Sequence, residues 1–518
     1  MITQLPEVAQ ALLNPQIYLD KTTKVELMQT QMSFIFLAGQ HVYKLRKAVN
    51  LGYLDYTTLE KRHLFSEQEV ILNRRLSPEV YLGVIPVTKS RNGISLRGEG
   101  EIVDYVVKMR YLPQNRMMNV LLERNLVTNE MVERVAQKLV DFHSTAATNL
   151  EISSFGNIQA IRINTNENFI QTEKYIGRTI SSDQFRNIKE YTNNILDQKF
   201  ALFEQRASSG RIRDCHGDLH CQHICFANTL SIFDCIEFND RFRYCDVASE
   251  IAFLAMDLDH YGCADLSRTF TDSYINISRD SQIREILKFY KCYRAYVRGK
   301  VGSFKYEDPY ITETERKATL RSACSYFELA ASYARPRPML FITVGLVGSG
   351  KSTLAKALAR YLGLTIISSD KVRKQLASVP LTEHHFNEME SGIYSQEFTR
   401  LTYNTLFKEA GKILTQGDSV ILDASFIKVE ERNRAFNLAR DTNSDFFILE
   451  CRLDEVNTRR RLSKRVTNNK SVSDGRWEIY EPQKKKFEPL ADTNSPNYFL
   501  INSAFPLEEQ IERILLRL

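Results

Sequence analysis

The chain has 518 residues, of which 43% are hydrophobic and 25% charged, and a formal net charge of +6. That is the balance of a globular protein, and the length exceeds what one hydrophobic core usually serves. So mild a positive excess does not mark a nucleic-acid binder, although it suits an anionic ligand such as ATP. The nine cysteines are odd in number and five fall between Cys215 and Cys245, which is not the framework of a small disulfide-rich secreted domain. The start, Met1-Ile2-Thr3-Gln4-Leu5-Pro6, lacks the basic and apolar regions of a signal peptide. The longest apolar runs, 251–258 and 339–347, are too short to cross a bilayer. The expectation is a cytoplasmic protein with no membrane partner.

In chain order, residues 1–30 read as helices. Residues 33–37 and 41–45 read as two strands joined by a turn at Ala38-Gly39-Gln40. Apolar and charged residues recur at helical spacing from Thr58 to Leu76, where Ser77-Pro78 ends the run. Residues 80–87 and 102–111 read as further strands, which completes a small mixed lobe. Residues 116–330 are mostly helical, with an amphipathic period over 131–143 and polar helices within 155–205. They are interrupted by loops and short strands at 215–246. Two prolines in Ala334-Arg335-Pro336-Arg337-Pro338 mark a domain boundary, giving domains of 1–335 and 336–518. Beyond it strands and helices alternate. Strands are expected at 340–344, 365–367, 419–422 and 446–453, and helices at 351–362, 394–415, 429–440 and 454–465. Such alternation implies a parallel sheet with helices on both faces.

Gly345-Leu346-Val347-Gly348-Ser349-Gly350-Lys351-Ser352-Thr353 follows the first of these strands and opens a helix. Glycines there let backbone N–H groups approach phosphate, and the helix directs its positive end at the anion. Lys351 supplies a charge to the β- and γ-phosphates and Ser352 a hydroxyl for Mg²⁺. Asp423 ends an apolar strand and is the candidate second group for Mg²⁺, the alternative being a helix cap. Asp370 follows another strand at the carboxyl edge, where open α/β sheets bind ligands. It can accept a proton from an attacking hydroxyl or, alternatively, cap the helix starting at Lys371. Arg461 and Arg465, in the basic run Arg459-Arg460-Arg461 and Lys464-Arg465, can close over a triphosphate or form a solvated face.

Residues 339–490 resemble the P-loop small-molecule kinases that include gluconate kinase and the 5′-kinase domain of polynucleotide kinase. The likeness rests on Gly345 to Ser352, Ser369-Asp370, Leu422-Asp423-Ala424-Ser425, Glu431-Arg432-Asn433-Arg434 and Arg461 to Arg465. Ser473-Asp474-Gly475, Tyr480 and Phe487-Glu488 extend it. It implies an AAA-type ATP-binding domain that transfers phosphoryl from ATP to a hydroxyl, with Asp370 as the base. Asp423-Ala424-Ser425 stands where many relatives have Asp-Ala-Thr or Asp-Thr-Asn.

Upstream, His216-Gly217-Asp218-Leu219-His220-Cys221-Gln222-His223 is followed by Phe233-Asp234-Cys235. One carboxylate for a substrate hydroxyl and one for a metal are what phosphoryl transfer needs. This stretch resembles the catalytic loop and metal-binding Asp of the aminoglycoside phosphotransferase and choline kinase group. Asp246-Val247-Ala248 resembles that group's helix-opening Asp. The resemblance implies a two-lobed, protein-kinase-like domain over about residues 30–335. Lys44 would hold the α- and β-phosphates, paired with Glu69 or, alternatively, Glu67. Asp218 would be catalytic, and Asp234 a metal ligand together with the residue at position 223. That residue is Asn in the family and His223 here, and imidazole prefers softer metals than Mg²⁺. No Gly-rich loop matches the protein-kinase pattern. A rival reading makes His216, His220, Cys221, His223 and Cys225 zinc ligands, although no second ligand pair at finger-like spacing follows. Cysteines 215, 235, 263, 292, 324 and 451 read as buried small hydrophobes and His143 as structural.

The fold class is therefore α+β followed by α/β: a kinase-like domain, then a P-loop domain with a parallel sheet flanked by helices. The expected function is ATP- and Mg²⁺-dependent phosphorylation of a small hydroxylated molecule. Two alternatives stand beside it. One is a polynucleotide 5′-hydroxyl kinase, which the mild charge and single Trp do not favour. The other is a nucleotide-dependent switch carrying a non-catalytic ligand-binding lobe.

Overall fold

The computed structural model describes residues 5–19, 22–52, 54–308, 311–380, 392–466, 475–490 and 495–518. The chain forms two compact units, one of residues 1–171, 192–257 and 268–294, the other of 172–191, 258–267 and 295–518.

The first unit opens with β1 (Val25–Gln29), β2 (Ser33–Ala38) and β3 (His41–Arg46), then helix α1 (Leu59–Arg74), β4 (Tyr81–Ser90), β5 (Gly93–Leu96) and β6 (Glu101–Arg110). The strands form an antiparallel sheet in the order β1-β2-β3-β6-β4-β5. Residues 1–30 are not the helices the sequence pattern suggests. Among the described residues only Glu7–Ala11 and the single turn Pro15–Ile17 are helical. Val25–Gln29 instead pairs with β2, Val25 opposite Ala38, so a neighbouring strand overrides the helix preference of Glu, Leu and Met.

Alternation along β3 sorts its side chains by face. Tyr43 and Leu45 enter a core with Tyr18, Phe34, Phe36 and Val106. Lys44 and Arg46 point the other way, toward Glu69 on α1. Thr58 caps α1 by accepting the amide of Lys61. The amphipathic helix α2 (Asn129–Thr145) follows. The interrupted stretch holds the short strands β7 (Ile212–Asp214), β8 (Ile224–Phe226), β9 (Leu230–Ile232) and β10 (Tyr244–Asp246), then helix α3 (Val247–His260). β7 pairs with β10, and β8 with β9.

The second unit carries β11 (Met339–Val344), α4 (Lys351–Leu362), β12 (Thr365–Ser368), α5 (Ser369–Leu376), α6 (Gln396–Thr415), β13 (Val420–Asp423), α7 (Val429–Asp441) and β14 (Asp445–Arg452). After these come α8 (Glu455–Val466), α9 (Trp477–Lys485), β15 (Tyr498–Asn502) and α10 (Leu507–Leu515). All five strands are parallel, in the order β12-β13-β11-β14-β15. The sheet has an apolar core on each face. One holds Tyr403, Leu406 and Ala410 of α6 with Ala435 of α7, and the other Leu354 and Leu358 of α4 with Ile511 of α10. The alternation seen in the sequence is thus the predicted doubly covered parallel sheet. No helix among the described residues is long and apolar enough to cross a membrane.

The nine cysteines are free thiols. Cys215, Cys235, Cys292 and Cys451 are buried as expected, whereas Cys263 and Cys324 are only half-buried.

Candidate active sites

β11 is fully buried and delivers the chain to the loop 345–350, and α4 starts at Lys351. Gly345 has φ +142, and a Cβ there would lie 2.4 Å from the Cys451 carbonyl oxygen. Gly350, the N-cap of α4, is left-handed at φ +97, and a Cβ there would meet Ser503 Oγ at 2.8 Å. Both positions therefore require glycine, for conformation and for space. Lys351 Nζ donates to the Leu346 carbonyl at 2.8 Å across the loop. Ser349 is 3% exposed, and its hydroxyl has no hydrogen-bond partner among the described residues. Ser352 and Thr353 lie exposed on the first turn of α4.

Parallel pairing of β12 with β13 sets Ser368 opposite Asp423. Ser369 then donates its hydroxyl to the Asp423 carbonyl at 3.3 Å. Asp423 is 8% exposed. Burial raises its carboxyl above the ordinary range, opposed by a hydrogen bond with Ser352 and by the Lys351 charge, while Asp370 adds to the rise. Lys351, Ser352, Asp370 and Asp423 therefore meet electrostatically at the carboxyl end of the sheet. Neither Asp is an N-cap: α5 begins at Ser369, so Asp370 lies within its first turn, and the next helix after Asp423 begins at Val429.

Arg461 on α8 donates to the Ser503 carbonyl at 2.7 Å, and its guanidinium lies 3.3 Å from where a Gly350 Cβ would be. It thus stands over the loop. The side chain of Arg465 lies outside the described residues, as do Ser473 and Asp474. Arg459 covers the Trp477 ring at 5.4 Å, and Trp477 stacks on Tyr480 with centroids 4.8 Å apart. Arg432, part of the stretch that resembles kinases, donates to the carbonyls of Phe426, Glu488 and Pro489, so it braces the chain. Sequence reasoning missed Gln483 on α9, whose side-chain oxygen accepts the Val347 amide at 2.6 Å. No local pattern marks it, because 136 residues separate the pair.

The first unit gathers its own cluster. Lys44 Nζ lies 2.9 Å from Glu69 Oε1 and 3.0 Å from Asp234 Oδ1. Glu69 is fully buried, and its second oxygen pairs with Arg46 at 2.6 Å. Arg46 also pairs with Glu237, which accepts from Tyr56 Oη at 2.8 Å. Glu67, the alternative partner, is half-exposed and faces His63 at 3.7 Å. Asp234 sits at φ +65, a conformation rare for a residue other than glycine, and its amide donates to Tyr81 Oη. Burial would raise the Asp234 carboxyl. Lys44 and His223 outweigh it and hold the group well below the carboxylate range.

The loop before Asp234 is fixed from beneath. Glu250 on α3 accepts the amides of His216 and Gly217, and Asp257 accepts the amide of Cys221. Asp246 accepts the Ala248 amide at 2.8 Å, and so opens α3 as expected. It also pairs with the fully buried Arg206, which pairs in turn with Asp280. His220 Nε2 faces Asp218 Oδ2 at 3.4 Å, and His223 Nε2 faces Asp234 Oδ2 at 3.4 Å. The zinc set proposed from spacing does not assemble. His216 Nε2 is on the Phe233 carbonyl, and Cys221 and Cys225 are buried. Instead Asp218 joins His220 and His223, with one ligand atom of each within 4.8 Å of the others. His143 is buried and its Nδ1 is bonded to Tyr274 Oη at 2.7 Å, a structural role.

The parallel sheet and its glycine loop define a P-loop domain of the nucleotide-binding class. Residues 340–490 match the AAA domain family. Over 429 residues the chain is 29% identical to uncharacterized proteins of Mycobacterium bovis and Mycobacterium tuberculosis, covering 82% of this chain and 83% of each relative. Among solved structures, the APS kinase of Mycobacterium tuberculosis is 19% identical, covering 35% of this chain and 98% of that one at a TM-score of 0.26. A gluconokinase of Sinorhizobium meliloti is also 19% identical, covering 35% and 93% at a TM-score of 0.25.

Proposed function

We propose that this chain is an ATP-dependent kinase whose second unit transfers the γ-phosphoryl group to a hydroxyl of a small molecule. The observation that carries this reading is the meeting of Lys351, Ser352, Asp370 and Asp423 at the mouth of the glycine loop. A cradle of backbone amides, a lysine and a helix N-terminus binds phosphates. The orphaned Ser349 hydroxyl and the glycine positions that no side chain can fill fit an anionic occupant. Ser352 and Asp423 offer hard oxygen donors that share a hydrogen bond, a set suited to Mg²⁺. When bound, the ion neutralises charge developing on the transferring group. Lys351 would swing from the Leu346 carbonyl to the β- and γ-phosphates, and Arg461 would add positive charge from above. Asp370 would accept the proton of the acceptor hydroxyl. Catalysis of this kind is positioning and charge stabilisation.

In the same proposal residues 1–335 and 336–518 are two functional halves, and the first is an aminoglycoside-phosphotransferase-like lobe. The closed Lys44–Glu69 pair supports it, since that geometry readies a lysine for the α- and β-phosphates. Asp218 would then orient a second hydroxyl.

The test is acceptor labelling from γ-labelled ATP with a panel of hydroxylated metabolites, aminoglycosides and 5′-hydroxyl oligonucleotides. Wild type is compared with Lys351→Ala and Asp218→Asn. Product lost only in Lys351→Ala assigns transfer to the P-loop. Product lost only in Asp218→Asn assigns it to the first unit. ATP turnover without labelled product from any acceptor overturns the kinase reading in favour of a switch.

A further inference from the structure

His223 stands in the first unit, where a purely oxygen-donating set would hold Mg²⁺, and its ring is oriented. Nδ1 lies 2.9 Å from the Asp218 carbonyl oxygen. A carbonyl can only accept, so Nδ1 carries the hydrogen, and in the neutral ring Nε2 presents its lone pair. A ring N–H held by a backbone carbonyl is the arrangement that fixes metal-ligating histidines. The lone pair faces Asp234 Oδ2 at 3.4 Å. Two donors each about 2.1 Å from one tetrahedral ion stand about 3.4 Å apart. The spacing is thus that of a chelate.

The other groups fit the same reading. Asp234 Oδ1 is taken by Lys44, which leaves Oδ2 for an ion. Its backbone is pinned at φ +65 by the bond from its amide to Tyr81 Oη. Asp218 Oδ2 lies by the other ring nitrogen, 3.6 Å from His223 Nδ1 and 3.4 Å from His220 Nε2, and so stands outside the pair. The Asp234 side chain is 43% exposed and that of His223 14%, so an ion can enter while the imidazole stays packed.

We propose that His223 Nε2 and Asp234 Oδ2 form a site for a first-row transition-metal dication in preference to Mg²⁺. A mixed nitrogen and carboxylate set suits Mn²⁺, Co²⁺ or Zn²⁺, whereas Mg²⁺ demands oxygen. The site binds metal without nucleotide, so it stands or falls independently of phosphoryl transfer.

The experiment uses the full, tag-free chain with Asp423→Asn, which removes the P-loop metal group. Co²⁺ is titrated without nucleotide and followed by its visible absorption, and Mn²⁺ is followed by pulsed EPR. The expected result is one ion per chain, ¹⁴N coupling to Mn²⁺, and Co²⁺ affinity lowered about 10-fold or more by His223→Asn. Asp234→Asn should lower it as well, and it serves as the second variant should His223→Asn fail to fold. Mg²⁺ should displace Co²⁺ only in large excess. Unchanged Co²⁺ affinity and spectrum in both variants, absence of ¹⁴N coupling, or displacement by equimolar Mg²⁺ would each overturn the proposal.

Discussion

The two units build their sites by opposite means. The P-loop gathers its phosphate cradle from consecutive residues, with conformation set by glycines at positive φ. The first unit instead recruits Lys44, Glu69 and Asp234, the ends of which are 190 residues apart, and holds them by ion pairs anchored on the fully buried Glu69. Backbone geometry is specified locally and tolerates few residue types. Ion-pair geometry depends on every element that carries a partner, and a buried pair becomes a liability once one member is removed. The first site should therefore be fragile to distant substitutions that leave the second intact.

The largest expected effect tests this at Arg206, which clamps Asp246 at 2.8 Å and Asp280 at 2.8 Å while itself fully buried. Arg206→Ala leaves the buried Asp246 without its guanidinium and Asp280 with only Arg211 at 3.5 Å, and should cost about 3–5 kcal/mol. In hydrogen exchange, amides of β7, β10 and α3 should lose protection, because Asp246 opens α3 and α3 holds the His216-Gly217 loop. Amides of β11 and α4 should keep theirs. Equal loss of protection in both places would break the contrast.

Legibility from sequence follows the same division. The glycine loop is legible because strand, loop and helix lie in sequence order and spacing sets its conformation, whereas Asp370 and Asp423 are legible only as strand-end residues that the pairing of β12 with β13 brings together. In the first unit the motif residues were readable, but what orients them was not. Arg46 shares a face with Lys44 by the period of a strand, a signal the pattern contained. Glu237, Glu250 and Tyr81 carried none, because their partners come from distant elements. The helical reading of 1–30 failed at Val25–Gln29, since an edge strand is decided by the neighbour it pairs with. Arg432 carries part of the kinase likeness, but nothing local in the sequence shows that it braces the chain through the carbonyls of Phe426 and Glu488.

A second prediction sharpens the comparison through pH. Burial lowers His143 to about 3, assisted by Arg213, Arg75 and His216. Burial likewise lowers His216 to about 3, with His223 adding to it. Both rings are neutral when folded and protonate at about 6.5 when unfolded. Between these values the unfolded state binds more protons, so stability is present above pH 6.5 and is lost as pH falls toward 3. Each ring contributes a slope of up to about 1.4 kcal/mol per pH unit. Urea unfolding from pH 7 to 4 should show this decline, and His143→Gln should remove about half of it. A decline of the same steepness in His143→Gln would mean that other groups take up the protons.

The smallest effect belongs to the P-loop site and has the opposite sign. Burial raises the Asp423 carboxyl, despite the Ser352 hydrogen bond and the Lys351 charge. A carboxyl raised on folding favours the folded state when protonated. Its contribution is present below the unfolded value of about 4 and is lost as pH rises through the folded one. At pH 7 the ionised group therefore costs stability, and Asp423→Asn should stabilise the second unit. A gain of about 1 kcal/mol would raise Tm by ~2–4 °C, vanishing near pH 4. The same substitution should abolish Mg²⁺-dependent phosphoryl transfer, since an amide is a poor substitute for a carboxylate at a hard cation. A carboxylate that lowers stability yet is needed for turnover is one retained for chemistry. If Asp423→Asn lowered Tm at pH 7, Asp423 would be a structural acceptor for Ser352, and the metal-holding role would pass from it.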